Sequence, residues 1–184
     1  MKNRLSMLKI TLIVLVIFFY SGCDENYQKQ QDSYKYEIKK RKTDQLEHFY
    51  KVDKKSDDTF EDKTFYVPVY SHIYISDENY VKMGITLSIR NTDLEQDLYI
   101  KAIDYYNTEG KLVKTYISQP HILKAMSSVD FIVDLDDMSG GNGAKFLVKF
   151  ASKKQTPIPV VQAIMIHSVG NNNFSFVTDG YLIK

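Results

Sequence analysis

The strongest constraint on the fold is an alternation of apolar and polar residues that begins near Thr64 and continues to the C-terminus. The clearest runs place Val67, Val69, Ser71, Ile73 and Ile75 on one face of a first strand, and Met83, Ile85, Leu87 and Ile89 on one face of a second. A period of two residues is typical of β-strands that bury one face and expose the other. The pattern therefore predicts an all-β domain over residues 64–184.

Further runs of the same kind raise the number of predicted strands to about eight. They cover residues 98–106, 111–117, 131–135, 146–150 and 174–183, and the near-continuous apolar stretch 160–166 predicts an interior strand. Short strands with regularly spaced turns are typical of two packed antiparallel sheets, so we expect an immunoglobulin-like β-sandwich. Pro68 has no N–H to donate, and we expect it at an edge or a bulge of a sheet.

The composition favours strands and gives no indication of a nucleic-acid partner. The chain contains 14 Tyr and 10 Phe, residues that fit a pleated, half-buried surface, and no Trp. Three of the 24 basic residues lie within the first 22 positions, which leaves 21 basic against 23 acidic residues in the rest of the chain. Nucleic-acid binding normally requires a basic patch and a strongly raised isoelectric point.

The first 22 residues have the layout of a secretory signal peptide. Basic residues precede the apolar segment 10–20, and the small residues Ser21 and Gly22 follow it. The apolar segment is too short for a transmembrane helix, which takes about 20 residues. We therefore predict export of the chain and removal of this segment.

Cys23 is the one cysteine in the sequence, and Ser21-Gly22-Cys23 resembles the lipobox of bacterial lipoproteins. In that pattern a lipid such as palmitate is attached to the cysteine sulfur, and the chain is cleaved just before it. We predict that lipidated Cys23 anchors the protein to a membrane of the cell envelope. Asp24 and Glu25 fit both retention at an inner membrane and export to the surface, so the sequence does not decide between the inner and the outer membrane. A single cysteine also excludes a disulfide within the domain.

Residues 24–63 are dominated by Lys, Asp, Glu and Gln and show no sustained apolar period. Such a segment is typical of a solvated tether, within which residues 44–51 are compatible with a short helix. We therefore expect three parts: a signal peptide at 1–22, the lipidated cysteine with a polar tether at 23–63, and a β-sandwich at 64–184.

The first predicted strand has an aromatic and partly polar face, formed by Tyr66, Tyr70, His72 and Tyr74. Aromatic rings with polar tips can bind a sugar or a peptide. The competing interpretation is cross-strand packing of the rings inside the sandwich. Because the chain has no Trp, a common platform for sugars, packing is favoured and binding is kept as the alternative.

Three carboxylates, Asp134, Asp136 and Asp137, precede the glycine-rich segment 139–143. Clustered carboxylates on a loop are ligands that calcium prefers. However, Met138 stands where a further ligand should fall, and Asp and Gly also form ordinary turns. We favour a turn over a calcium site and predict no resident metal or cofactor.

No sequence motif identifies an enzyme. A nucleophile elbow, a phosphate-binding loop, a dinucleotide fingerprint and a zinc-protease motif are all absent from the sequence. The histidines, at positions 48, 72, 121 and 167, are too far apart in sequence to predict a metal site. A triad assembled from distant residues, such as His72 with a Ser and an Asp, stays open because triads are recognised by geometry.

Several segments, in order, resemble one bacterial family. The matching segments are residues 66–74, 87–93, 104–106, 110–113, 130–131, 140–144, 159–161 and 163–166. On these segments the chain resembles the domain-of-unknown-function family numbered 3124, over nearly the whole of residues 64–184. The resemblance implies a small exported or lipid-anchored bacterial protein and supplies no activity or catalytic residue.

These observations together predict a membrane-anchored envelope lipoprotein. We expect its domain to be a noncatalytic module that binds another envelope protein or a surface polysaccharide. The alternatives are an envelope hydrolase without a recognisable motif and a calcium-dependent binder of a surface polymer.

Overall fold

The regular secondary structure in the described part of the chain consists of antiparallel β-strands, and this part contains no α-helix. The computed structural model describes residues 47–52, 60–153 and 157–184. Every described residue belongs to one compact unit, Leu46–Lys184. The predicted signal peptide, Cys23 and most of the predicted tether therefore lie outside the described residues.

The described residues form thirteen strands. In chain order they are β1 (Phe49–Lys51), β2 (Phe60–Val69), β3 (His72–Tyr74), β4 (Tyr80–Lys82), β5 (Gly84–Arg90), β6 (Leu98–Tyr106), β7 (Leu112–Ile117), β8 (His121–Leu123), β9 (Ser128–Val133), β10 (Ala144–Lys153), β11 (Val160–Val169), β12 (Asn172–Asp179) and β13 (Tyr181–Leu182).

Two sheets and a separate ribbon are built from these strands. The large sheet has the order β1-β8-β6-β10-β2-β13, with β7 also paired to β6, and the small sheet has the order β12-β11-β5-β9. β3 and β4 pair only with each other. Alternate residues of both sheets point inward and form one apolar core, in which Leu87, Phe146 and Val148 are fully buried.

The prediction of an all-β sandwich is confirmed. The strand number exceeds about eight because five strands, β1, β3, β4, β8 and β13, contain three residues or fewer. Strands this short leave no readable alternation. No helix among the described residues is long and apolar enough to cross a membrane.

The first predicted strand is in fact two strands. The chain turns at Tyr70 and Ser71, where the Ser71 N–H donates to the Gly141 carbonyl oxygen at 3.0 Å and the Ser71 carbonyl oxygen accepts from the Met83 N–H at 2.9 Å. β3 therefore leaves the large sheet. Ile75, predicted on the buried face, is 68% exposed as a result.

Hydrogen bonds join the two sheets along both open sides of the sandwich. On one side the Tyr116 hydroxyl of β7 donates to the Ile132 carbonyl oxygen of β9 at 2.8 Å. On the other side the Thr178 hydroxyl of β12 donates to the Pro68 carbonyl oxygen of β2 at 2.6 Å. β13 pairs with β2 at Tyr66 and Phe65 and does not reach Pro68, so the expected edge position of Pro68 is confirmed.

The described strands begin before the predicted boundary at Thr64, since β1 and the first residues of β2 belong to the large sheet. Phe49 pairs with Leu123 of β8 and is 8% exposed. Its ring stacks on His121 with centroids 4.8 Å apart and meets the Phe131 ring edge-on at 6.1 Å. The short helix compatible with residues 44–51 is replaced by this strand over its last three residues. The available signal in the sequence was an aromatic residue, Phe49, within a polar segment.

The strand directions define two opposite ends of the sandwich. The entry end contains β1, where Phe49 and Leu98 both pair with Leu123, and His48 Nε2 lies 2.9 Å from the Ser128 carbonyl oxygen. The ribbon end contains β3 and β4, which join the sheets through Val69 and Gly84. β6 runs from one end to the other over nine residues, which corresponds to about 30 Å.

We expect Phe49→Ala to lower the free energy of unfolding by about 3 kcal/mol, because it removes a buried ring and leaves a cavity. Tyr50→Ala is the matched control, since Tyr50 is the next residue and is 38% exposed. Its expected effect is within about 0.5 kcal/mol. Urea unfolding of both variants measures the difference. Equal stabilities for the wild type and Phe49→Ala would show that β1 is not part of the folded domain.

The pH dependence of stability reports on the Tyr116 contact. Burial, together with electrostatic repulsion from the nearby Tyr105, Asp137 and Asp134, raises the pKa of Tyr116 from 10.0 to about 12. Between these two values the unfolded chain releases a proton that the folded chain keeps, so stability falls as the pH rises through this window. Below about pH 10 the group contributes no pH dependence.

We expect Tyr116→Phe to flatten the loss of stability above pH 10, as measured by urea midpoints between pH 9 and pH 12. The slope is compared and not the absolute value, because the variant also loses the hydrogen bond to Ile132. Tyr50→Phe, at an exposed site, is expected to keep the wild-type slope. An unchanged slope in Tyr116→Phe would contradict the assignment.

Candidate functional site

The ribbon formed by β3 and β4 has two chemically different faces. Residues directly opposite each other in an antiparallel pair share a face, and the register pairs Ile73 with Val81 and Tyr74 with Tyr80. Ile73 and Val81 pack against the core, whereas Tyr74 and Tyr80 lie on the outer face with His72 and Lys82. The inner face thus holds the ribbon on the sandwich, and the outer face is presented to solvent.

The outer face carries a cluster of three rings, which we call the ring cluster: His72, Tyr74 and Tyr80. The His72 ring centroid lies 5.1 Å from that of Tyr74 and 5.1 Å from that of Tyr80, and the two tyrosine rings meet edge-on at 6.3 Å. Tyr74 is 57% exposed and Tyr80 is 49% exposed. His72 Nδ1 is buried and has no hydrogen-bond partner among the described residues.

The four aromatic residues predicted from the sequence do not form one site. His72 and Tyr74 lie in the ring cluster, but Tyr66 lies within β2 between Leu147 of β10 and Tyr181 of β13. The half-buried Tyr70 packs against the core and contacts the Phe176 ring at 5.9 Å. The break at residues 70–71 separates the two pairs.

Tyr80 is the member of the ring cluster that the sequence prediction missed. The signal was present, because the turn residues of segment 76–79 separate two short segments that each carry a tyrosine. In the structure the Ile75 N–H donates to the Asn79 carbonyl oxygen at 2.9 Å, and the Ser76 hydroxyl oxygen accepts from the Asn79 side chain at 3.0 Å. These bonds close the turn and bring Tyr80 opposite Tyr74.

The ribbon is tied to two neighbouring elements through Lys82. The His167 Nδ1 atom of β11 lies 2.8 Å from the Lys82 carbonyl oxygen, and the Lys82 ammonium binds the Asp136 carboxylate at 2.8 Å. The hydrogen bond and the charge of Lys82 hold the pKa of Asp136 below its usual range, and Asp136 raises the pKa of Lys82 in turn. Both groups are solvent-exposed, so this ion pair orients the ribbon and adds little stability.

The acidic loop makes turn contacts and no cluster of metal ligands. The Asp137 N–H donates to the Asp134 carbonyl oxygen at 2.9 Å, and the Asp137 carboxylate accepts from the Ser139 N–H at 3.0 Å. Asp136 points to Lys82. Within residues 47–52, 60–153 and 157–184, no three His, Cys, Asp or Glu side chains are grouped so that they could hold a metal ion.

The glycine-rich segment after this loop is fixed by Thr108 and by the close packing of glycine. The Gly140 carbonyl oxygen accepts from the Thr108 N–H at 2.9 Å, and the Gly143 N–H donates to the Thr108 hydroxyl oxygen at 3.0 Å. A Cβ atom at Gly140 would lie 1.8 Å from the hydroxyl oxygen of the buried Tyr105. Gly141 has a φ of 75°, in the left-handed region that favours glycine. The segment has a structural role in joining β9 to β10.

The histidines other than His72 bind backbone carbonyl oxygens. His48 contacts Ser128, His121 Nδ1 lies 2.8 Å from Gln119, and His167 contacts Lys82. His72 contacts the two tyrosine rings. In the described part of the chain, none of these histidines makes the hydrogen bond to a serine hydroxyl or a carboxylate that a catalytic triad uses.

A second exposed feature lies on the outer face of the small sheet. The register aligns one residue of each strand into a row across the sheet: Val177, Ile164, Thr86 and Ile132. Val177 and Ile132 are each more than half exposed. Ile166, two residues farther along β11 on the same face, is 49% exposed, but its register partners are Ser175 and Gly84, so the apolar residues form no second continuous row.

A family model described as "Protein of unknown function (DUF3124)" matches residues 62–183. This match begins within β2 and ends just after β13, so it covers all the strands of the sandwich except β1. The chain belongs to the DUF3124 family. The resemblance seen in the sequence segments is thereby confirmed, and a search of curated proteins found no match for this DUF3124 chain.

Among solved structures, the DUF3124 chain is similar to a protein described as "Crystal Structure of Thermotoga maritima 1070". The two chains are 17% identical, the match covers 65% of this chain and 92% of that chain, and the TM-score is 0.41. A similarity at this level carries no argument about the function of the DUF3124 domain.

In this DUF3124 domain we expect Gly140→Ala to lower the free energy of unfolding by about 2 kcal/mol or more, because the added methyl group overlaps the fully buried Tyr105. Gly84→Ala is the control, since its added Cβ would meet nothing closer than 3.7 Å. Thermal melting of both variants measures the contrast. Equal melting temperatures would show that the packing at Gly140 relaxes without cost.

Proposed function

We propose that the mature protein is a lipid-anchored module of the bacterial cell envelope that binds a partner without catalysing a reaction. Its anchor is a lipid on Cys23, and its binding surface is the ring cluster of the ribbon. The protein acts as a tethered receptor for a component of the envelope.

The observation that carries this proposal is the placement of the two ends of the domain. The chain enters the sandwich at β1, beside Leu123 and Ser128, and the ring cluster lies at the opposite end, about 30 Å away along β6. The ring cluster therefore lies far from the strand at which the tether joins the domain. Exposed rings at that end are therefore accessible to a partner while the chain remains anchored.

The anchor is supported by the sequence before the domain. An apolar segment at 10–20 is followed by Ser21-Gly22-Cys23, and the polar segment after Cys23 connects it to β1 at Phe49. Two or more acyl chains on one cysteine hold a protein firmly on a membrane, whereas one chain binds marginally. A multiply acylated Cys23 accounts for stable attachment of the mature protein to a membrane.

The noncatalytic role is supported by the chemistry of the exposed groups. Three of the histidines bind backbone carbonyl oxygens, and His72 is surrounded by rings. Exposed aromatic rings with polar tips are suited to recognition, because they offer a large apolar contact with few rotatable bonds.

We expect Cys23→Ala to abolish incorporation of labelled palmitate and to move the protein from the membrane fraction to the aqueous fraction of a bacterial host. Ser21→Ala is the matched control, because it keeps a small residue before the cysteine and leaves the thiol in place. Its membrane fraction is expected to equal that of the wild type. A Cys23→Ala protein that still partitions with membranes after signal cleavage would overturn the lipid anchor.

A further inference from the structure

The outer face of the ribbon has the composition of a glycan-binding surface. We propose that the ring cluster binds a neutral polysaccharide chain, with Tyr74 and Tyr80 stacking on sugar rings and the turn at residues 76–79 contacting sugar hydroxyls. This inference rests on the proposed binding role of the domain and names the chemical class of its ligand.

The side chains of Tyr74 and Tyr80 are not needed to hold the ribbon on the sandwich. Ile73 and Val81 on the inner face already pack against the core, and Lys82 is bound by His167 and Asp136. Tyr74 and Tyr80 leave about half of each side chain in water, although both are large rings at the end of the domain. Their placement opposite each other puts both rings on the outer face, where they meet edge-on.

The ring cluster also contains a buried polar atom that folding leaves unpaired. His72 Nδ1 has no hydrogen-bond partner among the described residues, and a buried polar atom without a partner costs free energy. A position selected for stability alone would be filled by an apolar residue. The imidazole at this position is instead explained by its contacts with the rings of Tyr74 and Tyr80.

Polar groups surround the rings where sugar hydroxyls would lie. A shallow hollow beside Tyr74 is lined by Ile75, Ser76 and Asp77. The Ser76 hydroxyl oxygen accepts from the Asn79 N–H at 3.1 Å as well as from the Asn79 side chain, which fixes the turn before any ligand arrives. An exposed tyrosine ring beside a preformed polar turn matches a sugar ring, which has an apolar face and hydroxyl groups at its rim.

The charges around the ring cluster select against an anionic polymer. Lys82 is neutralised by Asp136, and Asp77 and Glu78 in the exposed turn leave the surface negative. A polymer that carries carboxylates or phosphates would be repelled by these groups. A neutral chain of glucose or N-acetylglucosamine units is not repelled.

The test is isothermal titration of the full-length mature protein, purified in detergent, with chitohexaose, cellohexaose and laminarihexaose as neutral probes and alginate oligomers as the anionic probe. We expect saturable binding of at least one neutral probe and none of alginate. Tyr74→Ala and Tyr80→Ala are each expected to weaken binding about tenfold, which is the loss of one stacking contact. Tyr74→Phe keeps the ring and is expected to stay within about threefold of the wild type.

Tyr181→Ala is the matched control, because Tyr181 is 62% exposed but lies on β13 of the large sheet. Its affinity is expected to equal that of the wild type. Melting temperatures are measured for every variant, and an alanine variant that does not fold is replaced by Tyr74→Leu, which keeps apolar volume and removes the flat ring. Loss of binding in a folded Tyr74→Leu supports stacking.

Three results would overturn the glycan assignment. They are no binding of any neutral probe, binding that Tyr74→Ala and Tyr80→Ala leave unchanged, and capture of an envelope protein through the same two tyrosines without any glycan binding. The lipid anchor is tested separately by membrane fractionation of Cys23→Ala. Failure of glycan binding in a protein that fractionates through Cys23 therefore rejects the ligand class and leaves the anchor standing.

Discussion

The close contact between the Gly140 backbone and the buried Tyr105 ring determines how the ribbon end of the sandwich is built. Because no side chain separates them, the segment that carries the chain from β9 to β10 lies directly on the core, and Thr108 binds it at Gly140 and Gly143. The Gly141 carbonyl oxygen is then placed to accept from both the N–H and the hydroxyl of Ser71. These two hydrogen bonds hold the turn at which the chain leaves β2 and the ribbon begins.

The ribbon consequently has a rigid base and a free outer face. Its inner residues pack against the core, and Lys82 at its base is held by one exposed ion pair and one histidine contact, so the ring cluster is positioned by contacts that the two tyrosine rings do not make. A two-stranded ribbon is marginal by itself. Its attachment to the sandwich is what allows exposed rings to keep a fixed geometry, and fixed geometry lowers the entropy cost of binding.

The sequence predicted much of the sandwich and part of the site. Most of the eight longer strands follow the alternation, because they have one buried and one exposed face and are long enough to show a period, whereas β12 is exposed over most of its length. Phe49 was assigned to the tether, since a strand of three residues shows no period and its partner β8 is about seventy positions away in sequence. Tyr70 was grouped with His72 and Tyr74, since a turn held by the distant Gly141 is not visible in the local pattern.

By itself the sequence determined the all-β class, the edge position of Pro68 and the family, because these follow from residue period, from a missing N–H and from ordered local segments. Only the tertiary structure decided which aromatic residues share a surface. Tyr80 meets Tyr74 because a closed turn reverses the chain, and Tyr66 and Tyr70 are separated from them because Ser71 binds a loop seventy residues away. The contact between the distant Ser71 and Gly141 sets that separation, and a period of two residues carries no information about it.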